Sequence, residues 1–371
     1  MRNILFITGT RADFGKIKSL ISELEKNSQI ETFIFATGMH LLRKYGLTVN
    51  EIQKAGFKNI YRYINQNIND SMDMVISKTI QGLSDYVKEN APDLIVVHGD
   101  RVETLAGAIV GSLNNILVAH IEGGELSGTI DELVRHSVSK LSHVHFVSNA
   151  DARDRLIKMG ETKSSIYIIG SPDIDVMRSK TLPSLASAKA RYKIHFRRYA
   201  IVLFHPVTTE ISSLKRDVKN LVDSLIETRQ NYIVIFPNND LGSADIFEEY
   251  KRLDSISRFL LYPSLRFENF LILLKNADFI IGNSSAGVRE APYYGLPSIN
   301  IGTRQNRRAD APSIINIANE KADILEAIER AKTMECEPTQ DFGDGNSAQR
   351  FFDILDGDDI WHISKQKDFY G

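Results

Sequence analysis

Short, continuous apolar runs alternate along this chain with longer amphipathic stretches, and that alternation leaves few folds open. The runs "NILFIT" (3–8), "TFIFAT" (32–37), "DLIVVH" (93–98), "ILVAHI" (116–121), "VHFVSN" (144–149) and "IYIIG" (166–170) are unbroken. Unbroken runs predict parallel strands buried on both faces, not strands with one wet side. Between them, stretches such as "FGKIKSLISELEKN" and "SMDMVISKTIQGLSDYVKEN" carry helical spacing. The sum is a parallel sheet with crossover helices. The pattern pauses in a polar stretch at 179–199 and restarts with "YAIVLFH" (199–205), "YIVIFPN" (232–238), "RFLLYP" (258–263), "ADFIIGNS" (277–284) and "PSINIGT" (297–303). Two doubly wound α/β domains follow, divided near residues 172–185. A length of 371 residues agrees, because single cores rarely grow beyond about 250–300 residues.

Composition narrows the partners. A net charge of -2 gives no overall reason to bind nucleic acid or an anionic membrane, so an anionic ligand must be met by local groups. The one cysteine, Cys336, rules out an internal disulfide framework and fits a reducing compartment. The first apolar stretch is too short for a membrane span and no small-residue cleavage site follows it. A cytoplasmic protein is expected. No histidine set has metal-ligand spacing, so no metal is expected. The first loop, "GTRADFGK", is neither G-x-G-x-x-G nor a Walker A sequence, so no dinucleotide, ATP or other cofactor is called for.

The strands of both series end in loops dense in Gly and ionisable residues: "GTRADFGK", "HGDR", "EGGE", "GSPD", then "HPVTT", "GNSSAGVRE" and "GTRQ". Open parallel sheets bind ligands at those ends, and two facing domains would line one cleft with both sets. In "GNSSAGVRE" a strand leads into a helical pattern, a turn suited to phosphate; Ser284 or Ser285 also suits a plain N-cap. Glu290 either reaches sugar hydroxyls or is solvated. Arg304, Arg11 and Lys16 could supply the positive charge for a diphosphate. In "IEGGELSGTIDELVRH" (121–136), Thr129 and Glu132 form a possible capping box. Gly123 and Gly124 are expected where backbone approaches a ligand. Asp100, Glu122 and Asp131 are expected to crowd in one crevice, which pushes carboxylate pKa values apart and suits proton transfer.

Taken together, "HGDR", "HIEGGELSGTIDELVRH", "HPVTT", "GNSSAGVREAP" and "GTRQ" closely resemble the hydrolysing UDP-N-acetylglucosamine 2-epimerases of the bacterial sialic-acid pathway. The likeness runs from "TGTRADFGK" to the final helix. It implies a GT-B-like fold of two Rossmann-like domains facing a cleft. Residues 1–175 would form the N-terminal domain with the catalytic carboxylates, 176–355 the nucleotide-binding domain, and 356–371 a helix packing back on the first. It also implies the reaction: UDP-GlcNAc and water give ManNAc and UDP, by anti elimination of UDP and hydration of 2-acetamidoglucal. By matching motif, Asp100, Glu122 and Asp131 resemble acid/base carboxylates and His205 a further essential group. Arg11, Lys16, Arg101, Ser284, Ser285, Glu290 and Arg304 resemble UDP-sugar contacts, with Phe270 at the uracil. A homodimer is expected from the resemblance alone. The same motifs suit UDP-2,4-diacetamido-2,4,6-trideoxyglucose. A retaining glycosyltransferase or a UDP-sugar sensor would need the nucleotide loops but not all three carboxylates.

Overall fold

The structure is a computed structural model that describes residues 1–67, 70–127, 129–238, 240–306 and 308–368. The chain divides into two units: residues 1–125, 131–179 and 342–371 form the first, and 126–130 with 180–341 form the second. The first unit carries seven strands: β1 (Arg2–Thr8), β2 (Ile30–Ala36), β3 (Ile60–Arg62), β4 (Leu94–His98), β5 (Leu117–Ile121), β6 (Val144–Val147) and β7 (Ile166–Ile168). Their order is β3-β2-β1-β4-β5-β6-β7, and every pairing is parallel. The second carries β8 (Ala200–Leu203), β9 (Tyr232–Ile235), β10 (Phe259–Tyr262), β11 (Ile280–Gly282), β12 (Ser298–Ile301) and β13 (Ile314–Ile317). Their order is β10-β9-β8-β11-β12-β13, again all parallel. Both sheets are doubly wound. In each, strand order reverses beside its first strand, between β1 and β4 and between β8 and β11, and such switch points are where loops diverge and ligands bind.

The central strands are largely apolar because helices cover both faces. Ile4 and Phe6 point to one buried cluster, Leu5 and Ile7 to the other. The edge strands β3 and β13 were absent from the sequence expectation. Ile60–Arg62 is largely exposed and Ile314–Ile317 only partly buried, so neither has a long apolar run.

The return of the chain to the first unit comes earlier than the expected residue 356. Helix Ser347–Asp356, expected in the nucleotide domain, belongs to the first unit. Its Phe351 is fully buried, edge-on to Phe146 at 4.7 Å and near Phe6 at 6.4 Å. Burying such a ring contributes roughly 1.5–3 kcal/mol. The Asp175 carboxylate accepts the first free N–H groups of that helix, Ser347 N at 2.9 Å and Ala348 N at 2.6 Å. Beyond it, residues 356–371 hold only the short turn Asp359–His362 among the described residues. No helix among the described residues is long and apolar enough to cross a membrane.

Candidate active site

In the first unit the site grows from the carboxyl ends of β1, β4 and β5. Strand β4 ends at His98, and Gly99 turns the chain with φ +76° before Asp100 and Arg101. Strand β5 ends at Ile121, and Glu122 takes φ +61°. A non-glycine residue in the left-handed region costs on the order of 1–3 kcal/mol and persists only where its surroundings enforce it. Here the Glu122 N–H donates to the Phe146 carbonyl (2.8 Å), and its own carbonyl accepts from Arg135 Nη1 (2.6 Å). The strained backbone aims a carboxylate that is only 3% exposed.

That carboxylate has two donors. Ser171 Oγ–H donates to Oε1, and His98 Nε2 stands 3.2 Å from Oε2. On the other side of the ring, His98 Nδ1 meets Asp13 Oδ1 at 2.7 Å. Arg135, 1% exposed, donates through Nη2 to Asp100 as well as to the Glu122 carbonyl. Asp100 and the Glu122 turn meet at one guanidinium, so these carboxylates are not left to repel one another. Charges alternate instead, with Asp13, His98 and Glu122 in one line and Asp100 held by Arg135. Burial alone would depress the His98 pKa, but the Glu122 charge and the hydrogen bonds to Asp13 and Glu122 raise it to about 9. Asp13 is lowered despite its burial, by its bond to His98 and the imidazolium charge, then by Thr8 and Gly9.

Asp131 stands in the first turn of helix Ile130–Leu141, one turn before Arg135 on the same face. Thr129 directly precedes this helix, and Gly128 lies outside the described residues. The glycine pair is explained by the protein itself. A Cβ on Gly123 would come within 2.8 Å of His120 Nδ1, and one on Gly124 within 2.4 Å of the Ala152 carbonyl. Close packing of the turn, not a ligand, demands both. Glu125 is likewise internal, accepting from Ser148 Oγ at 2.8 Å. His120 donates from Nε2 to the Gly99 carbonyl (2.8 Å), and burial holds its pKa well below the ordinary range.

The proposed cationic contacts of this unit each have a carboxylate partner. Arg11 pairs with Glu51 (3.0 Å), Lys16 with the buried Asp173 (3.0 Å), and Arg101 with Glu103 (3.2 Å).

In the second unit, β8 and β11 end side by side. Asn283 spans the switch point: its Oδ1 accepts from His205 N (2.7 Å) and its Nδ2 donates to the His205 carbonyl (2.8 Å). The Asn283 carbonyl in turn accepts from Gln305 Nε2 (2.9 Å) and, at 3.4 Å, from Arg304 Nη1. His205 Nδ1 accepts from Asn238 N–H at 3.2 Å, which leaves Nε2 as the protonated nitrogen of a neutral ring. Gly282 is required here, since a Cβ would lie 2.1 Å from the Leu203 carbonyl.

Two expectations change in this loop. Ser284 does cap, accepting from Ala286 N, but it caps a three-residue turn, Ser285–Gly287, and the helix that follows is only Glu290–Tyr293. Gly295, at φ +64°, ends it, with the Leu296 N–H returning to the Ala291 carbonyl at 3.0 Å. Any phosphate contact therefore comes from turn N–H groups and hydroxyls more than from a helix dipole. Glu290 is 2% exposed, which overturns its solvated alternative. Phe270 lies in helix Phe267–Lys275 and is 7% exposed, so little of its ring faces solvent.

Sequence reasoning left Asp13, His98, Ser171 and Asn283 out of the site. Each stands at or just past a strand end, within "GTRAD", "HGD", "GSPD" or "GNSS". Among the described residues no group of three or more His, Cys, Asp or Glu could hold a metal ion.

Two doubly wound sheets with ionisable groups gathered at their switch points define a ligand-binding α/β protein of the Rossmann-like class. The family model described as UDP-N-acetylglucosamine 2-epimerase matches residues 22–356. The chain is 46% identical over 373 residues to the UDP-N-acetylglucosamine 2-epimerase of Neisseria meningitidis serogroup B, covering 100% of this chain and 99% of that one. It is 33% identical over 361 residues to the UDP-N,N'-diacetylbacillosamine 2-epimerase (hydrolyzing) of Legionella pneumophila, covering 96% of each. The crystal structure of Methanocaldococcus jannaschii UDP-GlcNAc 2-epimerase in complex with UDP-GlcNAc and UDP shares the fold. Its TM-score is 0.82 at 21% identity, with 96% of this chain and 99% of that one covered. The chain belongs to the UDP-N-acetylglucosamine 2-epimerase family.

Proposed function

We propose that this protein is a hydrolysing UDP-GlcNAc 2-epimerase that supplies ManNAc for sialic-acid synthesis. The observation that carries the reading is the clamp in which Arg135 holds Asp100 and the Glu122 carbonyl while His98 and Ser171 hold the Glu122 carboxylate. Proton removal at C2 needs an ionised, oriented base, and two buried donors on one carboxylate provide both properties. As the C2 proton leaves, the C1–O bond breaks and UDP departs with the bridging oxygen. Water then adds at C1 of the 2-acetamidoglucal while a proton returns to C2 from the opposite face. Asp100, Glu122 and Asp131 share the proton transfers, with His205 as a further group. The loops around Asn283 and Arg304 take the diphosphate. The 46% identical meningococcal relative supports the substrate, and the name of the 33% identical Legionella relative supports hydrolysis. That second name also favours one alternative, the same chemistry on a UDP-2,4-diacetamido-trideoxy sugar.

Isotopes test the reaction. In heavy water ManNAc is expected to carry deuterium at C2. In ¹⁸O-water the label is expected in the sugar and not in UDP over a short time course. Label in UDP, or GlcNAc as the only sugar, would refute elimination. The nucleotide loops are tested by calorimetry with UDP. Arg304→Ala should weaken binding by roughly 1.5–3 kcal/mol and Ser285→Ala by roughly 0.5–1.5, since a charge-assisted bond exceeds a neutral one. Unchanged UDP affinity in the arginine variant would assign "GTRQ" to structure alone.

A further inference from the structure

A chain of hydrogen bonds runs beneath the carboxyl ends of β2, β1, β4 and β5. Thr48 and His40 Nδ1 are 2.7 Å apart, His40 Nε2 and Thr8 Oγ1 3.1 Å, and Thr8 Oγ1 donates to Asp13 Oδ2 at 2.7 Å. Since the Thr8 proton goes to Asp13, its oxygen accepts from His40 Nε2–H, and His40 Nδ1 accepts from Thr48. The Gly9 N–H adds a second donor to Asp13 Oδ2 at 3.1 Å. From Asp13 the chain continues through His98 to Glu122, which Ser171 closes from the far side. The donors of Thr8, Gly9, His98 and Ser171 thus end on one of two carboxylates, Asp13 or Glu122.

We propose that Asp13 is a positioning residue for the epimerase reaction: acting through His98, it keeps the Nε2–H donor on Glu122 and so holds the oxygens of that carboxylate aimed. The proposal rests on the reading of Glu122 as a proton-transfer group. The geometry is asymmetric. The shorter contact, 2.7 Å to Asp13, fixes the proton on Nδ1, so the nitrogen that titrates is Nε2, 3.2 Å from Glu122. Without its Nε2 proton the ring would turn a lone pair toward a carboxylate oxygen, and Glu122 would lose that donor and its aim. Glu122 keeps that donor only while His98 holds the proton, and Asp13 is the group that stabilises it there.

The surrounding charges leave this linkage in control. Burial keeps His40 down at about 4 and His120 well below its usual range, so neither neighbouring imidazole competes as a cation. Arg11, Arg101 and Arg135 are paired with Glu51, Glu103 and Asp100. The sign follows from a folded pKa of about 9 for His98 against roughly 6.5 unfolded. The pairing stabilises fully below the unfolded value and is lost as pH rises through the folded one.

Ring-labelled histidine NMR on the full chain, without substrate, reads His98 directly, with His98→Gln assigning its signal. The wild-type ring should titrate above pH 8, and Asp13→Asn should lower it by at least about one unit, a tenfold change in protonation. With UDP-GlcNAc, the alkaline limb of the kcat profile should move to lower pH by a similar amount in Asp13→Asn, while UDP affinity holds within about threefold. Thr8→Val, which deletes one donor to Asp13, should move the same limb by less and serves if Asp13→Asn does not fold. A wild-type His98 that titrates below pH 7 would overturn the proposal. So would a uniform loss of turnover with an unmoved limb, which marks a merely structural Asp13. A wild-type protein inert toward UDP-GlcNAc would sink the reaction instead, while the ring titration still decides whether Asp13 controls His98.

Discussion

Glu122→Gln is expected to lower turnover of UDP-GlcNAc by about 10²–10⁴-fold, the usual contribution of a proton-transfer group. UDP affinity should change by much less. The glutamine is close to isosteric, so His98 Nε2–H keeps an acceptor on one side of the amide. The other side now presents an NH₂ to the Ser171 hydroxyl, which can rotate to accept. Backbone strain at φ +61° is unchanged by the substitution, because Arg135 and Phe146 hold the main chain and not the carboxylate. The fold should therefore survive while the base is lost. Asp100→Asn is expected to act in the same direction, since its carboxylate is the other partner of Arg135. A product assay for ManNAc beside UDP calorimetry decides the matter. Near-normal turnover in both variants would remove these carboxylates from the mechanism.

Arg135→Met is expected to cost the first unit roughly 1–3 kcal/mol of stability, the range for leaving a buried acceptor without its donor. The guanidinium is 1% exposed and serves two acceptors, the Glu122 carbonyl and the Asp100 carboxylate. Methionine fills much of the volume but leaves both acceptors without that donor, and Asp100 without its counter-charge. Turnover should fall with stability, because the strained turn at Glu122 loses one of its two main-chain anchors. Arg135→Lys keeps the charge but reaches one acceptor at a time, so it should recover only part of either loss. Urea unfolding of both variants alongside the product assay checks this. A loss below about 1 kcal/mol for the methionine variant would place Arg135 among ordinary, replaceable salt bridges.

Much of the site was legible because parallel sheets put chemistry at one edge. Continuous runs located β1, β4, β5, β8 and β11, and within each unit polar residues directly after these strands hydrogen-bond one another. Asp100 and Glu122 were singled out in that way, and His205 through the resemblance. Asp13, His98 and Ser171 were not selected, since each has an unremarkable alternative as a cap, a strand end or a pre-proline serine. Their significance lies in distances between residues 85, 24 and 49 positions apart along the chain.

Local physics explains where the sequence reading stopped. The apolar period decides helix and strand from neighbours alone, so two doubly wound sheets followed from the runs themselves. Edge strands β3 and β13 are short and mostly unburied, with no such run, so they emerged only with the sheet. The helix Ser347–Asp356 has the same amphipathic pattern whichever core receives it. Its place beside Phe6 and Phe146, under the Asp175 cap, is a tertiary choice. The glycine pair at 123–124 likewise reads as permission for a ligand until His120 and Ala152 are seen filling that space. Sequence alone determined the sheets and the loops that bear the charges. The tertiary structure decided which charge meets which, because ionisation and aim depend on burial and on partners brought together across the fold.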